Sequence, residues 1–261
     1  MAAVLEAKEI AVRIQGKTIL EKVNLRIEAG KRTAILGPNG SGKSTLLKAL
    51  AGLLPCAAGE VCFAGEPLAK IGKKSLSQRL AVLPQGSGAP ADLTVGELVD
   101  YGRFPHRSWW GGDPAADRLA VAEALARTGL AAMKERLVAT LSGGERQRAF
   151  IAMALAQSPE VLLLDEPTTY LDIAHQLEVM QIISSLNAGG AMTVVMVLHD
   201  MYHAARYADE IVVVKDGAVV ASGPPREVIS AAMLREVFGV TAEVFASASG
   251  KQVLLPVDTG A

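Results

Sequence analysis

The chain has 261 residues, half of them apolar, with 26 Lys and Arg against 27 Asp and Glu. Apolar runs such as "VLLL" before Asp165 and "VVMVL" before His199 are strand-sized, and no run approaches the roughly eighteen residues a membrane-spanning helix needs. A net charge of −1 gives no general attraction to nucleic acid or to anionic lipid.

The first residues, "MAAVLEAKEIAVRI", mix acidic with apolar side chains instead of the basic-then-apolar order of a signal peptide, which predicts a cytoplasmic chain. Residues 9–27 hold two apolar runs around the turn residues Gln15 to Lys17 and read as strands. "RTAIL" is a third strand, followed by a glycine-rich loop and a helix in "STLLKALAGLL". Cys56 and Cys62 stand at no recognised metal or redox spacing and read as reduced thiols. From about residue 90 to 158 the pattern turns Ala/Leu-rich and helical. Strands return in "VLLLD", "MTVVMVLHD" and "EIVVVKDGAVVASG", the last with a hairpin signal at Asp216-Gly217. Strands alternating with helices predict an α/β core with a largely parallel sheet and an inserted helical subdomain.

"GPNGSGKST" fits G-x-x-x-x-G-K-[ST] directly after a strand and at the start of a helix, the pattern of a P-loop. Here Gly37, Pro38, Asn39, Gly40, Ser41, Gly42, Lys43, Ser44 and Thr45 are expected to hold nucleotide phosphates. Glycines let backbone N–H groups converge, and a helix N-terminus favours negative charge. Lys43 is expected on the β- and γ-phosphates and the Ser44 hydroxyl on Mg²⁺. "VLLLDEP" places Asp165 at the carboxyl end of a buried strand, where it would serve the Mg²⁺ shell, with Glu166 orienting or deprotonating an attacking water. His199 and Gln85 likewise follow strand-like runs. His203, four residues after His199, hints at a metal pair, but a third ligand is not apparent.

"LSGGERQR" is a second glycine-rich helix start. Ser142 and Glu145 fit an S-x-x-E capping box, which needs no ligand. That explanation leaves Gly143 and Gly144, two residues that cost backbone entropy, without a reason. An anion site accounts for them, and the P-loop already holds the phosphates of its own nucleotide. Arg146 and Arg148 also read as a solvated helix face. "RFPHRSWW" interleaves basic and aromatic residues: stacking on single-stranded bases, docking of a protein partner, and packing of Trp109 and Trp110 are all open readings.

Taken together, the P-loop, Gln85, "LSGGERQR", "LLLDEP", "TTYLD" and His199 resemble, in type and order, the ATP-binding-cassette (ABC) ATPases. The resemblance implies a P-loop NTPase core with an N-terminal antiparallel β part. Residues 1–89 and 159–261 would form the core, and residues 90–158 the helical subdomain with the signature loop. It also implies ATP with Mg²⁺, the metal held by Ser44, Gln85 and Asp165, and a head-to-tail homodimer. There Ser142, Gly143 and Gly144 would meet the γ-phosphate of the partner's ATP, with Asp172 at the nucleotide and His199 sensing γ-phosphate. Ile14 takes the position where the family usually stacks an aromatic ring on adenine. "YGRFPHRSWWG" and "YLDIAHQLEVMQII" are similar to ATPase subunits of importers for ferric siderophores, haem and cobalamin. That implies integral-membrane permease partners, a separate substrate-binding protein, no nucleic acid, and a peripheral position on the cytoplasmic face of the membrane. A soluble relative without a transport role, such as an iron–sulfur assembly factor, is the alternative.

Overall fold

The computed structural model describes residues 2–90, 92–107, 113–246 and 252–259. Trp109 and Trp110 lie outside them. In chain order the strands are β1 (Ala3–Ile14), β2 (Lys17–Glu28), β3 (Arg32–Leu36), β4 (Ala58–Phe63), β5 (Glu66–Pro67), β6 (Leu80–Leu83) and β7 (Val161–Asp165). They continue with β8 (Thr193–Val197), β9 (Glu210–Lys215), β10 (Ala218–Gly223), β11 (Val240–Ala246) and β12 (Gln252–Thr259). The helices used below are α1 (Lys43–Leu50), α2 (Lys73–Arg79), α3 (Val95–Asp100), α4 (Pro114–Arg127), α5 (Gly143–Ala156), α6 (Ile173–Leu186) and α7 (Met201–Tyr207). The chain folds as two compact units, residues 1–70 with 195–261, and residues 71–194.

In the first unit β1 pairs antiparallel with β2 on one side and with β4 on the other. β2 alternates Val23, Leu25 and Ile27 inward with polar residues outward, the two-residue period of a half-buried strand. Three hairpins turn on the same device. Gln15-Gly16 (φ 50° and 80°), Ala64-Gly65 (49° and 84°) and Asp216-Gly217 (48° and 79°) each place two left-handed residues between adjacent strands. That pair of positive φ values matches the right-handed twist of the flanking strands. β4 approaches β1 so closely at Gly59 that an added Cβ would lie 2.3 Å from the Glu9 and Lys8 carbonyl oxygens.

β3 runs parallel to β9, Leu36 opposite Val213, and both are buried on their two faces. A fork fixes the start of this pair. Arg32 donates from its backbone N, Nε and Nη2 to the Asp209 carboxylate at 2.9, 3.0 and 2.7 Å, and Asp209 N donates back to Arg32 O at 2.8 Å. The helix after β3 is shorter than the apolar pattern over residues 44–54 suggests, because Gly52 ends it. With Gly52 at φ 68°, its N–H bonds Ala49 O and the Leu53 N–H bonds Lys48 O, which together close a Schellman cap. The antiparallel pair β11–β12 completes this unit and was not foreseen in the sequence.

In the second unit β6 runs parallel to β7 in the register Leu80↔Val161 through Leu83↔Leu164. Residues 90–158 lie wholly inside this unit, and α3, α4 and α5 each begin on a side-chain cap. Thr94 with Glu97 and Ser142 with Glu145 form capping boxes, while Asp113 accepts from Ala115 N and Ala116 N ahead of Pro114. The segment "YGRFPH" divides its side chains. Arg103 is buried and donates to Asp117 at 2.8 Å and to Ala156 O at 2.7 Å, and His106 bonds Gln157 O at 2.8 Å. Tyr101 and Phe104 remain exposed.

Candidate active site

In the first unit, β3 delivers the chain to Gly37, whose φ of 155° and surroundings exclude any side chain. A Cβ there would lie 2.0 Å from Val214 O. Gly42, at φ 103°, caps α1 with no side chain, and a Cβ there would meet Leu20 Cδ2 at 2.8 Å. Gly40, at φ 77°, faces open space. The loop is thus held tightly at both ends and left open at its crown. Its helix start carries no acidic residue in the first turn, so nothing there repels an anion.

Lys43 is buried, and its ammonium donates to Gly37 O and Pro38 O, both at 2.8 Å. The cation is thereby arched back over the loop, beside the crown. Ser41 Oγ is buried without a hydrogen-bond partner among the described residues. A buried hydroxyl normally finds one, so an oxygen-rich ligand in the cradle would complete it. His199 is exposed and directly follows the buried β8; Leu198 N donates to Ile35 O at 3.1 Å, which sets His199 alongside the end of β3. Asp200 caps α7, accepting from Tyr202 N at 2.7 Å, and His203 turns into the buried side of that helix. Burial, followed by Arg206, pushes the His203 ring below the usual imidazole range, against the pull of Asp200. Ile14, the last residue of β1, is half-exposed.

In the second unit, the β6–β7 register does the positioning. Leu83 faces Leu164, so Gln85 and Glu166, each two residues further on, leave the strand ends level with one another. Gln85 Nε2 donates to Glu166 Oε2 at 2.6 Å, and Thr169 Oγ donates to the same oxygen at 3.0 Å. Glu166 sits at φ 54°, a left-handed conformation that costs a non-glycine residue on the order of 1 kcal/mol. That turn lifts its carboxylate out of the strand end while Asp165, before it, stays buried. The two carboxylates therefore have different surroundings. Gln85, Gly143, Arg146, Asp165 and Glu166 all line one cleft of about 90 Å³.

The signature loop starts α5. Ser142 Oγ accepts from Glu145 N at 3.2 Å, and Glu145 Oε2 accepts from Ser142 N at 2.8 Å. These backbone and side-chain hydrogen bonds from Ser142 hold the Glu145 carboxyl below its usual range despite partial burial. The two glycines differ. At buried Gly144 a Cβ would lie 2.2 Å from His175 Cδ2, so the neighbouring helix α6 accounts for that glycine. At exposed Gly143 a Cβ would meet only Leu171 Cδ2, at an ordinary 3.6 Å. Among the described residues of this unit, nothing requires Gly143 to be glycine. Asp172 caps α6, its Oδ1 accepting from His175 N at 2.9 Å and bonded to His175 Nδ1 at 2.7 Å. Backbone and side-chain bonding from His175 keeps the Asp172 carboxyl low.

Every candidate site residue named from the sequence falls within the described structure, whereas the end of "YGRFPHRSWWG", Ser108 to Gly111, does not. Two functional candidates escaped the sequence reading. Thr169, inside the stretch "TTYLD" but given no role there, donates to Glu166, and its i, i+3 spacing behind that acidic residue is the signal that would have assigned it one. His175 has no such signal, because its partner Gly144 lies on another helix.

Residues 20–169 match the family model described as ABC transporter. The iron(3+)-hydroxamate import ATP-binding protein FhuC of Bacillus subtilis (strain 168) is 45% identical over 240 residues, 92% of this chain and 89% of its own. Among solved structures, a chain of an ABC transporter assigned to the metal-chelate type, in an inward-facing conformation, superposes with a TM-score of 0.85 at 25% identity, covering 99% of this chain and 98% of that one. A dimeric bacterial ABC transporter cassette superposes with a TM-score of 0.74 at 30% identity, covering 85% of this chain and 99% of that one. With motifs, fold and relatives in agreement over most of its length, the chain belongs to the ABC transporter family and is one of its ATP-binding, ATP-hydrolysing cassettes.

Proposed function

We propose that this cassette drives an importer for a ferric siderophore or a related iron chelate. The 45% identity with a protein of iron(3+)-hydroxamate import, spread over nine-tenths of both chains, is the observation that carries the reading. The similarity to a metal-chelate type transporter points the same way.

In this reading the phosphates of ATP rest on the loop from Gly37 to Thr45, with Pro38, Asn39 and Gly40 at its crown. Ser41 Oγ and the Lys43 ammonium supply hydrogen bonds and charge, and Ile14 lies against the base. Ser44, Gln85 and Asp165 offer hydroxyl, amide and carboxylate oxygens, the hard donors Mg²⁺ takes, and the bound ion would neutralise charge on the phosphates. Gln85 can serve there through Oε1 while its Nε2 keeps the bond to Glu166, since an amide has both an acceptor and donors. Glu166, fastened by Gln85 and Thr169, takes the proton of the attacking water, and His199 contacts the γ-phosphate. A second copy completes each site through its own Ser142, Gly143 and Gly144, with Asp172 beside the nucleotide. ATP closes the pair, and hydrolysis reopens it. The motion passes to integral-membrane permease subunits that receive cargo from a substrate-binding protein, the cassette lying peripherally on the cytoplasmic face of the membrane.

The test is to purify the chain from membranes, identify the proteins that come with it, and measure uptake by vesicles containing that assembly. ATP-dependent uptake of a ferric hydroxamate or other iron chelate is expected. Uptake of haem or cobalamin alone, or recovery only in a soluble complex without a permease, would overturn the iron-chelate assignment.

A further inference from the structure

The start of α5 is held against α6 at one point where a side chain is missing on one helix and present on the other. Gly144 leaves a notch, and the His175 ring fills it. A Cβ at Gly144 would come within 2.2 Å of His175 Cδ2, 2.6 Å of Cγ and 3.0 Å of Cβ, so no other residue fits there with His175 in place. A second rung follows one turn along, where Arg148 Nη1 meets Glu178 Oε2 at 3.1 Å. Gly144 with Arg148 and His175 with Glu178 lie on facing sides of the two helices, as i, i+4 and i, i+3 spacings require.

The His175 ring is not free to rotate in the notch. Asp172 Oδ1 lies 2.7 Å from Nδ1 and 2.9 Å from His175 N. The Asp172 carboxylate is ionised and can only accept, so Nδ1 carries the proton and donates. Asp172 belongs to the segment that leaves Glu166. Thr169 N bonds Glu166 O, Leu171 N bonds Thr168 O, and Gln176 Nε2 ties Leu171 O at 3.0 Å. Leu171 also underlies Gly143. The stretch from the catalytic carboxylate to the start of α6 is thereby a continuous floor under the signature loop.

We propose that His175 is a positioning residue for hydrolysis: held by Asp172, its ring in the Gly144 notch sets where Ser142, Gly143 and Gly144 point. The effect on turnover rests on the function proposed above for those three residues, whereas the notch itself does not. His175→Ala is expected to lower kcat about tenfold, the scale of a misplaced catalytic contact, while binding of a fluorescent ATP analogue changes less than about twofold. His175→Asn keeps a donor for Asp172 and is expected to recover several-fold of that loss.

The decisive measurement is a double-mutant cycle of Gly144→Ala and His175→Ala, read by kcat and by thermal midpoint. Gly144→Ala should be severe alone and much milder when His175 is already Ala, in both readouts. Equal cost of Gly144→Ala in both backgrounds would overturn the notch. A wild-type kcat in His175→Ala, or a loss that His175→Asn does not relieve, would overturn the positioning role. An inactive wild-type chain would count against the proposed function, while the midpoint cycle would still decide the notch.

Discussion

Gln85 and Glu166 meet at 2.6 Å, side-chain amide to carboxylate, because two parallel strands end in register and each chain runs on by two residues. With Thr169 donating to the same oxygen, the amide fixes the direction in which the Glu166 carboxylate faces, the orientation a general base needs. Glu166→Gln is therefore expected to cut hydrolysis by about 100-fold or more while leaving ATP binding within about threefold. Steady-state phosphate release beside equilibrium nucleotide binding checks this; substantial turnover in the variant would remove Glu166 from the base role.

Gly143 and Gly144 give opposite expectations for one methyl group. Gly144→Ala collides with His175 and should lower the thermal midpoint by several degrees. Gly143→Ala finds only Leu171 Cδ2 at 3.6 Å, so its midpoint should move by no more than about 2 °C. Its ATPase activity should nonetheless fall at least tenfold, since the exposed methyl would stand where the partner's phosphate approaches. Full activity in Gly143→Ala would show that no ligand comes that close.

The Arg32–Asp209 fork ties stability to acid. Burial alone would raise the Asp209 carboxyl, but the Arg32 bonds outweigh it and hold it below the usual carboxylate range. A group held low binds fewer protons folded than unfolded. Its contribution is complete above its unfolded pKa of about 4 and is lost as pH falls through the folded value. Asp209→Asn should cost about 1 kcal/mol at neutral pH, after allowance for partial exposure, and the gap to wild type should narrow below about pH 4. Urea unfolding at pH 7 and pH 3 measures both.

In the proposed site Ile14 would lie against the base with an aliphatic surface, and an aliphatic contact discriminates bases poorly. GTP is expected to be hydrolysed measurably, and Ile14→Tyr to tighten ATP binding severalfold. A competition assay in which excess GTP leaves ATP turnover untouched would contradict this.

Much of the site was legible because its chemistry is local. The P-loop, Asp165 and Glu166, and the Ser142–Glu145 box each depend on residues within a few positions, and each stands where the pattern puts it. The Asp216-Gly217 hairpin was equally plain. What the pattern hid depends on tertiary neighbours. β4 shows no alternation, being exposed over its first three residues and buried over its last three, and the reason for Gly59 lies in the carbonyls of β1. The β11–β12 pair follows a helical stretch without the Asn-Gly or Asp-Gly turn that marks the β9–β10 hairpin. Most telling is "GG" in the signature: the sequence suggested one cause for both glycines, whereas Gly144 answers to His175 on another helix and Gly143 to none of the described residues of its own unit.

In the proposed function the signature loop of one copy serves the ATP of another, and mixing two inactive variants distinguishes this from a site completed within one chain. Lys43→Ala removes the P-loop cation and leaves the signature intact, while Ser142→Arg blocks the signature and leaves the P-loop intact. If sites are shared between copies, a mixed pair holds one complete site, and the mixture should regain roughly a quarter of wild-type ATPase activity from two preparations that each have almost none. A mixture as inactive as its components, with pairing verified, would show that no site is shared between copies and would rule out the head-to-tail pairing.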